Sequence, residues 1–247
     1  MDLLSSGIPL LDDALGGGLL KDSNLLIIYD TYSNGWTLAF EILRNRIEEG
    51  DFGVIINSVM PYTPLKMELN LINFDLEGEG KAGNLAIVDV FSSLYHVSYS
   101  LDFVYVDTSM DTSTFLPKYT ALYRKLLEEK IRGRRPIGID FTIDGLAFLF
   151  GEEAFVKMFQ NLIALKEKAR VSESRKRPVN IFLMNKGLSS EGLISWVALY
   201  SQYVIEFCSS AESPKEKMLI RKSPLPDFKP KEGGYRFRID HGRVVIE

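Results

Sequence analysis

Eight consecutive residues, Asp30-Thr31-Tyr32-Ser33-Asn34-Gly35-Trp36-Thr37, have the spacing of a phosphate-binding turn. An apolar run, Leu25-Leu26-Ile27-Ile28-Tyr29, leads into them, and a helical pattern leads out. In the pattern G-x-x-x-x-G-K-[ST], backbone amides cradle phosphate oxygens, the lysine neutralises them and the hydroxyl serves Mg²⁺. Gly35 and Thr37 hold the second glycine and the hydroxyl position. Asp30 replaces the first glycine and Trp36 replaces the lysine. A carboxylate and an indole thus stand where polyphosphate needs a flexible turn and a cation. The spacing predicts a vestigial loop in which Trp36 packs into the vacated pocket.

Few other residues could do chemistry. Cys208 is the only cysteine, and His96 and His241 are the only histidines. An internal disulfide and a cysteine zinc site are therefore excluded, and neither a metal site nor a catalytic triad is expected. Asp102, Asp107 and Asp111 lie among Ser and Thr without a fixed ligand spacing, which reads as turn and cap residues. Two basic stretches, Arg132, Arg134, Arg135 and Arg170, Arg175, Lys176, Arg177, could form a nucleic-acid face. Glu173 interrupts the second, no aromatics interleave, and a net charge of −4 offers no attracting field, so solvated helix ends are the favoured reading. The stretch from Lys186 to Trp196 reads as a flexible loop in which Leu193, Ile194 and Trp196 are candidate contacts for a protein or peptide partner.

The elements that must position these residues alternate. A short helix over Pro9 to Leu15 should stop at Gly16-Gly17-Gly18. Strands follow at Leu25 to Tyr29, Gly53 to Asn57, Leu85 to Val90, Phe103 to Asp107 (an edge or hairpin insertion), 136 to 144, Val179 to Met184 and Tyr203 to Phe207. Helices are expected from about Gly35 to Glu49, Thr63 to Asn73, Phe115 to near Arg132-Gly133, and Glu152 to Ala169, with a charged loop at Glu77 to Lys81. In the second of the helices, Trp36, Ala39, Phe40, Leu43 and Ile47 form one apolar stripe. The end is β-rich: Lys217 to Arg221, then Tyr235 to Asp240 and Arg243 to Ile246 around an Asp240-His241-Gly242 turn. This order predicts one α/β domain over all 247 residues. It should have three layers, a mostly parallel sheet and a C-terminal antiparallel edge. At 46% hydrophobic and 25% charged residues the composition is that of a globular protein. Met1-Asp2-Leu3-Leu4 lacks the basic stretch and long apolar run expected of a signal peptide, and no run of about 18 apolar residues occurs, so a cytoplasmic protein with no membrane role is expected. Two glutamines and one cysteine lean toward a thermophilic source.

The segment Gly7-Ile8-Pro9-Leu10-Leu11-Asp12-Asp13-Ala14-Leu15-Gly16-Gly17-Gly18-Leu19, with its glycine triplet before the first long strand, resembles the KaiC-like branch of the RecA superfamily of P-loop ATPases. Element order agrees over nearly the whole chain, and the likeness extends to uncharacterised archaeal KaiC-like proteins. The resemblance implies a RecA-like fold and supplies three further positions. An acidic pair that prepares the attacking water follows the second strand in that family; here Val59-Met60 stands there, and neither can accept a proton. An Mg²⁺-orienting aspartate ends the fourth strand, with Asp144 and Asp140 as candidates and Asp144-Gly145-Leu146 the better fit. A Lys-Met-Arg-like segment reaches a neighbouring subunit's nucleotide; here Ile220-Arg221-Lys222-Ser223 keeps basic residues without the motif.

These substitutions point to a pseudo-ATPase with no cofactor, a binding or regulatory module that offers its former nucleotide cleft or rim to a protein or peptide. Two alternatives stand beside it. One is an NTPase whose cation comes from Lys21, Lys186 or a partner subunit, and the other is a nucleic-acid-binding paralogue. Oligomeric state is left open by the sequence.

Overall fold

The chain opens with a small ribbon: β1 (Leu3–Leu4), α1 (Pro9–Leu15) and β2 (Leu19–Leu20), with β1 and β2 paired antiparallel. Proline at the first helical turn suits a helix start. Gly16, at φ 95°, ends the helix in the left-handed region, where a side chain would be strained. A computed structural model describes residues 2–172, 174–210 and 213–247, so Glu173 lies outside the described residues.

Apolar runs then build one ten-stranded sheet. β3 (Asn24–Tyr29), β4 (Phe52–Asn57), β5 (Leu85–Asp89), β6 (Val104–Tyr105), β7 (Pro136–Phe141), β8 (Val179–Asn185) and β9 (Tyr203–Ser210) run parallel to one another. β10 (Ser213–Lys222), β11 (Tyr235–Asp240) and β12 (Arg243–Ile246) add an antiparallel extension beyond β9. The order is β12-β11-β10-β9-β3-β8-β7-β4-β5-β6. β3 sits near the middle with every residue buried, as a strand covered on both faces requires.

α2 (Thr37–Glu48), α3 (Tyr62–Leu69) and α4 (Leu76–Lys81) join α1 on one face. α5 (Val90–Leu94), α6 (Phe115–Leu126), α7 (Ile143–Phe150), α8 (Glu152–Ser172) and α9 (Glu191–Tyr200) cover the other. Strand alternation divides the core accordingly. Leu25, Ile27 and Tyr29 face the first layer, and Leu26 and Ile28 the second.

The architecture is the three-layer α/β sheet with an antiparallel edge that the sequence predicts. Three expectations are corrected. Glu77 to Lys81 belongs to α4, begun by the Asp75 carboxylate accepting from the Gly78 amide at 2.9 Å. The strand expected to reach residue 144 stops at Phe141, and α7 begins at Ile143. Glu191 to Trp196 is helical, because Ser190 caps α9 by accepting from the Leu193 amide at 3.1 Å.

Candidate functional site

β3 ends at Tyr29, and the loop 30–36 carries the chain into α2 at the C-terminal end of the parallel strands. The loop is held on both sides by its own chain. Asp30 Oδ2 accepts from the Ser209 amide at 2.7 Å, and Asp30 Oδ1 from the Ser209 hydroxyl at 2.5 Å and the Tyr32 amide at 3.1 Å. Burial raises the Asp30 carboxyl, but these donors and the Lys186 charge outweigh it and leave it below its ordinary value. The residue in the first glycine position therefore anchors the loop to β9 in ionised form.

Opposite it stands a residue with no signal in the sequence. Glu216, on β10, is 7% exposed. Its Oε1 accepts from the Asn34 amide at 2.7 Å, and its Oε2 accepts from the Ser33 hydroxyl. The Ser33 hydroxyl in turn accepts from the Gly35 amide at 2.9 Å. The turn thus directs an amide and a hydroxyl at an anion, and the anion is a carboxylate from 182 residues further along the chain. Burial pushes the Glu216 carboxyl above its ordinary value, the two donors draw it back in part, and Asp30 adds a further upward push.

The start of α2 is closed as well. The amides of Thr37, Leu38 and Ala39 donate to the carbonyls of Asn34, Gly35 and Trp36 at 3.0, 3.2 and 3.2 Å. The fully buried Thr37 hydroxyl donates to the Asn34 carbonyl at 2.7 Å. Gly35 is needed for space, since a Cβ there would overlap the Phe207 ring. Trp36 is 8% exposed and lies edge-on to Phe40 and Phe141, with ring centroids 5.9 and 5.8 Å away. Its indole is part of the core between α2 and the sheet. Tyr32, by contrast, projects from the loop at 89% exposed, and Thr31 reaches the Asn185 side chain at 3.4 Å.

Asp144 lies in the first turn of α7, 3% exposed. It accepts from the Asn185 amide at 3.0 Å and the Thr142 hydroxyl at 3.1 Å. Burial raises its carboxyl, and the Asn185 amide offsets this only in part. Asp140 lies further back along β7, toward Tyr119 and Tyr123 of α6, and desolvation pushes it up to about 7. Of the two aspartates, only Asp144 communicates with the loop, through Asn185 and Thr31.

Val59 and Met60 pack against the core, and the neighbouring Asn57 donates to the Met60 carbonyl at 2.6 Å. Lys21 pairs with Asp2. Lys186 lies 3.6 Å from Glu206 and 3.7 Å from the half-buried Cys208 sulfur. Of the candidate contacts, Leu193 is 2% exposed and turned into the core, Ile194 is half-buried against it, and Trp196 alone offers surface, stacked on Tyr200. Leu193 is therefore a core residue and offers no contact to a partner. The arginines are engaged in the fold. Arg134 lies over the Phe52 ring at 4.5 Å, Arg135 donates to the Arg177 carbonyl at 2.7 Å, and Arg170 pairs with Asp22 and Glu167. Among the described residues no His/Cys/Asp/Glu cluster could hold a metal ion, and no helix is long and apolar enough to cross a membrane.

No protein-family model matches the sequence, and no curated protein matches it. Solved structures do. An uncharacterised Pyrococcus horikoshii protein, PH0321, crystallised in complex with an unknown peptide, superposes with a TM-score of 0.81 at 20% identity, over 99% of this chain and 98% of that one. A KaiC-like protein from the same organism, PH0186, superposes with a TM-score of 0.67 at 20% identity, over 100% of this chain and 99% of that one. At that identity the likeness establishes architecture: this chain has a RecA-like fold, shared along its whole length with a KaiC-like protein.

Proposed function

We propose that this chain is a RecA-like pseudo-ATPase, a binding module whose phosphate-type loop is permanently filled by its own carboxylate. The observation that carries the reading is Glu216 seated on the Asn34 amide and the Ser33 hydroxyl. A nucleotide would have to expel it. It would also meet Asp30 and Asp144 without the loop's own lysine, whose position Trp36 holds with its indole in the core. Like charges about 4 Å apart cost about 4 kcal/mol each at an effective dielectric of about 20, enough to remove useful affinity. General-base chemistry has no acceptor at Val59-Met60.

The binding surface is the rim of the loop. Tyr32, Leu188 and Phe148 are 89%, 70% and 88% exposed, and they follow β3, β8 and β7, which are adjacent strands. Large apolar side chains this exposed are suited to contact with another chain. The unknown peptide held by the structural neighbour is consistent with a peptide or protein partner. Titrating Mg-ATP into the full chain, followed by tryptophan fluorescence and thermal midpoint, tests the reading. No response at millimolar ATP is expected. Stabilisation by several degrees at micromolar ATP would overturn it.

A further inference from the structure

The outer face of the antiparallel extension carries an open groove of about 780 Å³, between β10, β11 and the turn at 231–234. That is within the range of about 300–1,000 Å³ typical of ligand sites. Lys217 and Arg236 line it, and they are direct cross-strand partners in the β10–β11 register. Directly opposed residues of an antiparallel pair project to the same face, and like charges there repel. A third cation, Lys231, lies 4.5 Å from the Tyr235 ring centroid. None of these three has a carboxylate partner among the described residues.

The acids of the lining do not cancel them. Glu247 is held by Lys215 at 3.0 Å and by Arg238 at 3.3 Å. Glu216 is turned through the sheet to the phosphate-type loop. Glu232 alone remains, exposed on the turn beside Gly233. Gly233 and Gly234 take φ of 79° and 74°, and a Cβ at Gly234 would crowd the Met218 carbonyl at 2.6 Å, so the turn is pressed onto β10 as a wall of the groove.

We propose that this groove binds an extended peptide segment bearing acidic side chains. Carboxylates placed between Lys217 and Arg236 would relieve their repulsion, which the free chain bears as a cost. A surplus of two positive charges in a chain of net charge −4 suits a short acidic peptide better than a phosphate backbone. The site is separate from the loop rim and stands whether or not the loop takes nucleotide.

Fluorescence anisotropy of labelled hexaglutamate with the full chain tests it, with hexaglutamine and an oligothymidylate of equal charge as controls. Hexaglutamate should bind in low salt and weaken as salt rises, and hexaglutamine should not bind. The double variant Lys217→Glu/Arg236→Glu should lose at least about tenfold in affinity, while its thermal midpoint stays within a few degrees. The single variant Lys217→Glu, which turns the cross-strand pair attractive, should weaken binding with an unchanged or raised thermal midpoint. Absence of hexaglutamate binding, or binding indifferent to both variants, overturns the proposal. Oligothymidylate binding more tightly, and being lost in the same variants, overturns the peptide assignment.

Discussion

Glu216 satisfies two buried donors at once, so its removal is felt as an unmet hydrogen-bonding demand. Glu216→Ala should destabilise the chain by about 1–3 kcal/mol, read as a lowered midpoint in urea unfolding. An unchanged midpoint would mean that the loop donors find other partners. Trp36 makes a different kind of contribution, as volume wedged between Phe40 and Phe141. Trp36→Ala should cost about 3–5 kcal/mol. Trp36→Lys should cost no less and leave Mg-ATP unbound, because it puts an ammonium into an aromatic pocket while Glu216 still fills the turn. Gain of ATP affinity in that variant would show that the lysine alone was missing. Asp140 contributes a pH dependence of its own. A carboxyl raised in the folded state holds its proton more tightly there than in the unfolded chain, so it favours folding at low pH. That contribution fades as the pH climbs from the ordinary aspartate range, about 3.9, to its folded value of about 7. The difference in thermal midpoint between the wild type and Asp140→Asn should therefore fall across this window and level off above it. A constant difference would refute the assignment.

At the level of elements, the basic loops act as fasteners at the N-terminal ends of β7 and β8. Arg134→Ala should lower the thermal midpoint through loss of the Phe52 stacking and of the 2.6 Å bond to the Gly83 carbonyl, and should leave single-stranded DNA affinity negligible in both proteins. Much of this organisation was legible beforehand. The buried run of β3, the stripe Trp36, Ala39, Phe40, Leu43, Ile47 and the stop at Gly16 each follow from local periodicity or backbone freedom. The final hairpin did too: His241 and Gly242 both take positive φ, as a tight turn requires. α4 was hidden because Gly78 and Gly80 made a capped helix look like a loop, and α9 because Gly187, Ser189, Ser190 and Gly192 outweighed the Ser190 cap. Glu216 could not be found this way. Its role depends on β10 lying beside β9, and β9 beside β3, which is a tertiary fact with no local signature.

For the molecule as a whole, these features separate two surfaces: an apolar rim at the strand ends and a basic groove on the outer extension. If the rim binds a partner, peptides selected on the wild type from a random display library should lose at least about tenfold in affinity for the variant Tyr32→Ser/Leu188→Ser/Phe148→Ser. Its fold should be unaffected, since all three side chains are exposed. Equal affinity would move the partner elsewhere. The long reach of Glu216 has a further consequence during synthesis. The loop leaves the ribosome well ahead of its plug, for the Ser33–Glu216 contact spans 183 residues, about 10–40 s of elongation at about 5–20 residues per second. The turn itself can form only once β8 and β9 flank β3 and Ser209 meets Asp30, so its donors lie open to dissolved anions from then until Glu216 docks. A nascent chain arrested before residue 213 would therefore show an anion affinity that the finished protein loses when its last strands dock.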